Sequence, residues 1–335
     1  MIGKDMKKTA AMFVKMLKAI HFSVKRKIFF TKRKKGLKEK EIRTQPEKYG
    51  EENYYYIYGK HIDWKNPVLF DEKLTILKTG LYANNALVSQ CADKYRVREY
   101  VEECGLQHIL NELFDVWTDY REIDIAKLPD KFALKRNNDA GGVLIVQDKK
   151  QETQLKEKIE KLGKGTVRNY GLIFAEYQYQ HIEPCYICEK YIEDETGRYP
   201  HDYKFFVMNG KVRYILVCVG REEKSKMLRF LVDRDFRLFP VMPEEKQVTD
   251  EEIQQYRPQI LNEMISVAEP FPFVRVDLYQ YEGKVMFGEL TFTPMGALNT
   301  YINSIGQWIM GSYLDISEKA YSSRIIAADR RKKQL

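Results

Sequence analysis

Residues 273–294 read FVRVDLYQYEGKVMFGELTFTP, two alternating runs of apolar, aromatic and charged residues separated by Glu282-Gly283. Alternation on both sides of a Glu-Gly dipeptide predicts a β-hairpin, and the side-chain period of two says which residues share a face. The turn sets Val276–Tyr279 alongside Val285–Glu289, so Asp277 and Glu289 face the same side. Arg275 lies two residues before Asp277 and Thr291 two beyond Glu289, so both join them. Two carboxylates on one sheet face repel unless positive charge stands between them. Mg²⁺ held by one or two carboxylates plus substrate phosphates meets that need. A surface ion pair between Arg275 and one carboxylate meets it too, and the pattern alone leaves both open.

A second hairpin lies upstream in KFALKRNNDAGGVLIVQDK, residues 131–149. Its glycines, Gly141 and Gly142, either supply positive φ to a turn or admit backbone N–H groups to a phosphate while Lys135 supplies a point charge. A third hairpin turns at Asn209-Gly210 inside DYKFFVMNGKVRYILVCV (202–219). Strands are also predicted in GLIFAEYQY (171–179), PCYICEKYIED (184–194) and RFLVDRDFRLFPV (229–241). YYYIYG (54–59) reads as strand-like or as a buried anchor. DEKLTILKTGLYANNALVSQ (71–90) predicts helix, turn and short helix. Asp93 is a predicted N-cap for KYRVREYVEECG, with Tyr95, Val97 and Val101 on its apolar face and Gly105 as its stop. Further helical patterns cover 151–163 and 250–268. Hairpins flanked by helices argue an α+β fold with antiparallel sheets rather than a doubly wound parallel one.

The chain has 335 residues and a formal net charge of +8. Residues 1–43 hold 15 Lys+Arg and 3 Asp+Glu, a net of +12, so the rest sums to −4. The basicity belongs to an arm. Phe13, Leu17, Ile20, Val24 and Ile28 recur at helical spacing among lysines. That predicts an amphipathic helix, either lying through residues 10–35 on an anionic membrane surface or packed on the body of its own chain. TKRKKGLKEKE (31–41) follows as a basic linker. Lys15, Lys18 and Lys25 interrupt any signal-peptide core. Leu290–Leu314 carries no charge, and its asparagines and glycines make it core and site wall rather than a membrane span. The five cysteines, an odd and scattered set, suit a reduced, cytoplasmic chain.

Taken together, a lysine-glycine hairpin, a strand carrying Glu189 and a two-carboxylate hairpin stand in the order of parts of the ATP-grasp enzymes. KNPVLFDEKLTILK, CADKYRVREYVEECG, LPDKFALKRNNDAGGVLIVQDK, ICEKYIED, DYKFFVMNGKVRYI and FPFVRVDLYQYEGKVMFGELTFTP together resemble the TupA-like ATP-grasp family of teichuronopeptide and capsular polysaccharide gene clusters, over about residues 55–295. The resemblance implies an α+β ATP-grasp fold, two lobes with antiparallel sheets clamping ATP. Its divisions would be a basic arm and linker (1–45), a helical segment (46–93), a first lobe with the glycine loop (94–192), a second lobe with the metal site (193–320) and a basic tail (321–335). It implies that Gly141 and Gly142 of NNDAGG close over the phosphates, with Asp139 in the same loop, and that Lys135 and Lys94 hold phosphate oxygens. Main-chain groups of Lys190 and Ile192 would read adenine beside Glu189, and Glu193 or Asp194 the ribose. Lys204 would face the phosphates from the second lobe, and Asp277, Glu289 and Thr291 would hold Mg²⁺.

Two departures stand out. Thr291 replaces a usual asparagine, and NNDAGG replaces a loop closer to NHGSGG, which puts Asp139 near the triphosphate unless its carboxylate turns away or grips a metal-bound water. The implied chemistry is ATP-dependent carboxylate–amine ligation through an acylphosphate, with Arg275 on the developing oxyanion. A hexuronic acid of a sugar nucleotide or lipid-linked glycan would be joined to an amino acid or other amine, in the cytoplasm or at the inner face of the membrane. A sugar kinase and a catalytically degenerate nucleotide-binding tether are the alternatives. Nucleic acid is not an expected partner, since the YYYIY tyrosines are expected to pack inside. His181, Cys185, Cys188 and His201 sit at spacing that zinc favours, but Cys185 and Cys188 point to opposite faces of a strand. Buried thiols are the better reading.

Overall fold

A computed structural model describes residues 31, 39–139, 141–165, 170–193, 197, 199–220, 227–242, 248–258, 262–281 and 283–329. The amphipathic arm, residues 32–38 of its linker, Asp194, Glu282 and the end of the basic tail lie outside them. A short helix, Glu39–Thr44, precedes helix α1 (Pro46–Tyr58), which is followed by α2 (Phe70–Thr79), α3 (Ala86–Ala92) and α4 (Val97–Glu103). Strands β1 (Leu113–Trp117), β2 (Phe132–Arg136) and β3 (Val143–Val146) come next, then α5 (Leu155–Lys164) and β4 (Tyr186–Lys190). After these run β5 (His201–Met208), β6 (Lys211–Val219), β7 (Leu228–Asp233), α6 (Asp250–Gln255), β8 (Phe273–Tyr281), β9 (Lys284–Thr291) and α7 (Ser304–Tyr313).

The strands form two antiparallel sheets, a small one in the order β1-β4-β2-β3 and a large one in the order β7-β6-β5-β8-β9. Alternation decides what each face does. In the small sheet Phe132, Leu134, Val146 and Cys188 pack with Leu155 and Ile159 of α5. Ala133, Lys135, Val143 and Ile145 alternate with them and line a cleft on the opposite face. In the large sheet Asn209 and Gly210 both take positive φ, 48° and 72°, which matches the twist of a tight hairpin. Part of its face is closed by α2, where Phe70 packs 5.2 Å from Phe273 and 6.4 Å from Phe206 between ring centres. The remainder, from Arg275 through Asp277 to Tyr279, stays polar.

Three local expectations are corrected. YYYIYG is a helical buried anchor rather than a strand: Pro46 starts α1, Gly59 ends it with φ 68°, and the rings of Tyr54 and Tyr58, one turn apart, lie 4.7 Å between centres at a tilt of 46°. Burial of Tyr54 and Ile57 on one helix face overrides the strand preference of aromatic runs. GLIFAEYQY is a helical turn, Tyr170–Ile173, and a 3-10 segment, Tyr177–His181, joined through Ala175 at φ 57°. These turns bury Leu172, Ala175 and Tyr177 against Ile42 and Ala83, and Glu176 bonds Thr293. In α4 the inward aromatic is Tyr100, whereas Tyr95 is exposed. Asp93 does cap the turn before α4, accepting from the N–H groups of Tyr95 (2.8 Å) and Arg96 (3.2 Å).

Candidate active site

The two glycines of the upstream hairpin serve different ends. Gly141 has φ +96°, a conformation that L side chains rarely adopt. Gly142 is needed for space: a Cβ there would lie 2.5 Å from both Arg136 Nε and Asp139 Oδ1. Those atoms belong to a buried ion pair. Arg136 Nε donates to Asp139 Oδ2 at 2.6 Å, and the Gly142 N–H donates to Asp139 Oδ1 at 3.1 Å. Asp139, only 5% exposed, is therefore neutralised within the loop by Arg136. Its charge is not presented to the cleft, and no metal-bound water is needed to compensate it.

Asn137 ties this loop to its surroundings. Its Nδ2 donates to Asp93 Oδ1 (3.0 Å) and to the Glu183 carbonyl (2.9 Å), and its Oδ1 accepts from the Cys185 N–H (2.8 Å). Lys94 adds a bond from its ammonium to the Asp139 carbonyl. Burial pulls the Lys94 ammonium below its ordinary value, while Glu289 and Asp139 work against that pull. Lys135 bonds Glu189 at 2.5 Å, and Arg98 holds the other Glu189 oxygen at 3.3 Å. Burial would lower Lys135, but Glu189 beside it leaves the ammonium above its ordinary value. It is a fixed cation at neutral pH.

A cleft of about 480 Å³ separates the sheets, within the size range of small-molecule sites. Lys135, Gly141, Lys190 and Ile192 line it, four of the residues expected to touch ATP. Tyr191, Tyr199 and Tyr279 line it too and were not anticipated from the sequence. Only Tyr279 carried a signal, as the next residue on the Arg275 and Asp277 face. The Lys190 N–H is engaged by the Glu112 carbonyl (2.9 Å), and its own carbonyl accepts from Asn111 Nδ2 (2.8 Å). A carbonyl has a second lone pair, so only its acceptor side stays open to a ligand. Glu193 pairs with Lys131.

Across the cleft, β5, β8 and β9 bring the charged residues together. Lys204 lies opposite Asp277, Asp277 opposite Glu289, and Arg275 opposite Thr291. Lys204 Nζ contacts Asp277 at 2.6 Å and Asp202 at 2.9 Å. Arg275 donates to Asp277 through Nε (2.6 Å) and Nη2 (2.7 Å), and reaches Thr291 Oγ1 at 3.1 Å and Glu289 Oε1 at 3.4 Å. Thr291 Oγ1 donates to Glu289 Oε1 at 2.9 Å. The surface ion-pair alternative for Arg275 thus holds only in part, because the pair with Asp277 is buried. Asp202 was also missed, although its place two residues before Lys204 puts it on the same face.

Burial lifts the Asp277 carboxyl above its ordinary value against the pull of Arg275 and Lys204. Burial acts on Glu289 in the same sense, but Lys94, Arg275 and Lys204 overcome it and bring that carboxyl down to about 2. The Glu289 side chain remains 42% exposed. Its donor set fits Mg²⁺: hard oxygens only, on an ionised group with an open side. Asp277 fits as well, since three hydrogen bonds leave part of the four-site acceptor capacity of a carboxylate. Among the described residues no cluster of three His, Cys, Asp or Glu side chains is placed to hold a metal ion. Cys185 and Cys188 are free thiols, which burial pushes up to about 12.

The model of the TupA-like ATP-grasp family matches residues 72–315, a span containing the glycine hairpin, the cleft and the carboxylate hairpin. The chain belongs to the TupA-like ATP-grasp family. Its fold is the ATP-grasp fold expected from the order of its parts. No protein with a curated description matches the chain. Similar solved structures include D-alanine–D-alanine ligase from Bacillus anthracis complexed with ATP, 16% identical, with 74% of this chain and 69% of that one covered at a TM-score of 0.41. The enzyme of the same name from Helicobacter pylori is 13% identical, with 75% and 68% covered at 0.36. The ATP-grasp ligase PsnB, complexed with a phosphomimetic variant of minimal precursor, Mg and ADP, is 12% identical, with 74% and 62% covered at 0.37.

Proposed function

We propose that this ATP-grasp chain is an ATP-dependent carboxylate–amine ligase. The observation that carries the reading is the convergence of Lys204, Arg275, Asp277 and Glu289 on one sheet face, across a cleft whose other wall holds Lys135 and Gly141. ATP enters as substrate, its base end among Tyr191, Ile192 and Tyr199 and its phosphates toward Lys135, Lys94 and Lys204. Asp277 and Glu289 hold Mg²⁺, with Thr291 beside them, and the ion supplies charge neutralisation to the transferring phosphoryl group.

The residues divide the remaining work. Lys135 and Lys204 fix phosphate oxygens while a carboxylate oxygen of the acceptor attacks the γ-phosphorus and ADP leaves. An amine then attacks the acyl carbon, inorganic phosphate departs with one former carboxylate oxygen, and the amine loses a proton. Arg275 meets the oxyanion of that second step, a kind of contact often worth a few kcal/mol. Asp277 holds the guanidinium through two bonds, so the donor is oriented before charge develops. A ligase gives Arg275 this role, which transfer to a hydroxyl would not require.

The acceptor acid is a hexuronic acid, carried on a sugar nucleotide or lipid-linked glycan, and the amine is an amino acid or a similar compound. That assignment rests on the family. Binding of residues 10–35 to an anionic membrane surface would suit a lipid-linked acceptor. Among the described residues no helix is long and apolar enough to cross a membrane. Oxygen-18 in the acceptor carboxylate tests the reaction: label in released inorganic phosphate supports acyl activation, whereas phosphate retained on the sugar identifies a kinase. ATP turnover absent with every acid and amine tried would favour the tether.

A further inference from the structure

The polar face of the large sheet continues beyond Lys204 toward β7. Asp202 lies opposite Cys218, and Cys218 opposite Arg229. Directly opposed residues share a face, so Arg229 stands on the same side of the sheet as Lys204 and Asp277. It is half-buried, and its guanidinium lies 5.5 Å from the centre of the Tyr301 ring, in the loop between β9 and α7. Burial pushes the Tyr301 phenol up to about 12 against the pull of Arg275 and Arg229, so its hydroxyl is a neutral donor at ordinary pH.

Charge balance separates this place from the catalytic centre. Lys204 has Asp202 and Asp277, Arg275 has Asp277 and Glu289, and Lys135 has Glu189. Among the described residues no carboxylate pairs with Arg229, and nothing bonds the Tyr301 hydroxyl. A guanidinium with unengaged N–H groups over the ring of a tyrosine whose hydroxyl is also unengaged matches an anionic group with several acceptor oxygens. Two strand spacings, about 10 Å at the backbone, separate β7 from β5, and the long arginine side chain shortens that reach.

We propose that Arg229 and Tyr301 form a second anion subsite, which holds a phosphate or carboxylate of the acceptor other than the carboxylate that reacts. The substrate class is then an acid with two anionic groups, one at Arg275 and one at Arg229. The proposal rests on the ligase reading, which makes this face the acceptor side of the cleft. It makes Arg229 a specificity residue rather than a participant in phosphoryl transfer.

Equilibrium binding in the presence of Mg²⁺ and AMPPNP tests it with three probes. Glucuronic acid carries one anionic group, glucuronic acid 1-phosphate adds a phosphate, and digalacturonic acid adds a second carboxylate. The wild type should bind one of the latter two at least tenfold more tightly than glucuronic acid, and the probe that gains identifies the anion. Arg229→Gln should bring that ratio to near one while leaving AMPPNP and glucuronic acid binding unchanged. Arg229→Lys, which keeps the charge and loses the planar fork, should retain part of it and serves if the glutamine variant folds poorly. A ratio that survives in Arg229→Gln, or no gain for either probe in the wild type, overturns the proposal. A wild type that does not bind AMPPNP overturns the ligase reading and the subsite with it.

Discussion

Replacing Asp139 by alanine distinguishes two roles that differ in sign. If its carboxylate faced the triphosphate, removal would relieve repulsion and tighten nucleotide binding. In the structure it is buried, bonded to Arg136 Nε at 2.6 Å and to the Gly142 N–H at 3.1 Å. Removal would leave a buried guanidinium with the Leu162 carbonyl as its other acceptor, at 2.6 Å. Breaking a buried pair by deleting one partner costs about 3–5 kcal/mol, because the surviving charge is stranded. At roughly 2 °C per kcal/mol for a chain of this size, the melting temperature should fall by about 6–10 °C. AMPPNP affinity should fall at least tenfold, since the ion pair shapes the glycine loop. Scanning calorimetry and titration calorimetry read the two quantities. Arg136→Met combined with Asp139→Ala removes both charges and should recover part of the stability, so that with the Arg136→Met single variant the cycle gives a coupling of about 2 kcal/mol. Unchanged melting together with tighter nucleotide binding in Asp139→Ala would refute the assignment.

The remaining predictions concern the opposite wall and the thiols. Glu289→Gln should lower ATP turnover at least a hundredfold while keeping a cooperative melt only a few degrees below that of the wild type at neutral pH, since this side chain is partly open and its pairing partly screened; turnover near the wild-type rate removes the metal assignment. Asp277→Asn should lose turnover and also melt several degrees lower, because Arg275 and Lys204 lose the buried carboxylate they share and are left with Glu289 and Asp202 alone. The Glu289 carboxyl falls from 4.5 to about 2 on folding, so its stabilisation is complete above pH 4.5 and disappears as pH falls toward 2. Acid titration of the wild type should show an unfolding slope in that window that Glu289→Gln lacks in part, and identical slopes count against the cation cage. Cys185 and Cys188, held near 12, should resist iodoacetamide at pH 8 in the native protein and react in urea; rapid native alkylation would contradict their burial.

Much of the site was legible because two-residue periodicity in a hairpin is a strong constraint. Alternation along each strand pairs Arg275 with Asp277 and Glu289 with Thr291, but the register of the tight turn alone would set Asp277 opposite Gly288; the β-bulge between Asp277 and Leu278 shifts it so that Asp277 lies opposite Glu289 and all four share a face. The same logic reaches Asp202 and Tyr279, which were overlooked. Position in three dimensions was not legible. Nothing in NNDAGG indicates that Asp139 turns toward Arg136, because the partner is chosen by how the loop packs on α5. Aromatic runs misled for a related reason: YYYIYG and GLIFAEYQY have strand propensity, but their helical forms bury Tyr54, Ile57, Leu172 and Tyr177, and packing outweighs propensity.

The charges around the cleft explain why Thr291 suits the place where an asparagine is usual. A hydroxyl has one proton and two lone pairs. The Thr291 proton goes to Glu289 Oε1 and one lone pair accepts from Arg275, which leaves a single lone pair for a cation. An asparagine carbonyl would provide a metal ligand but could not donate through that oxygen. Thr291 therefore acts first as a strut, holding the Glu289 carboxylate and the Arg275 guanidinium at a fixed separation, and only second as a ligand. With Lys94, Arg275 and Lys204 all acting on Glu289, the carboxylate is ionised and oriented at neutral pH before any ion arrives. On the proposed reading, capture of a metal ion would require neither proton release from Glu289 nor its rotation, a form of preorganisation that would offset a weaker third ligand.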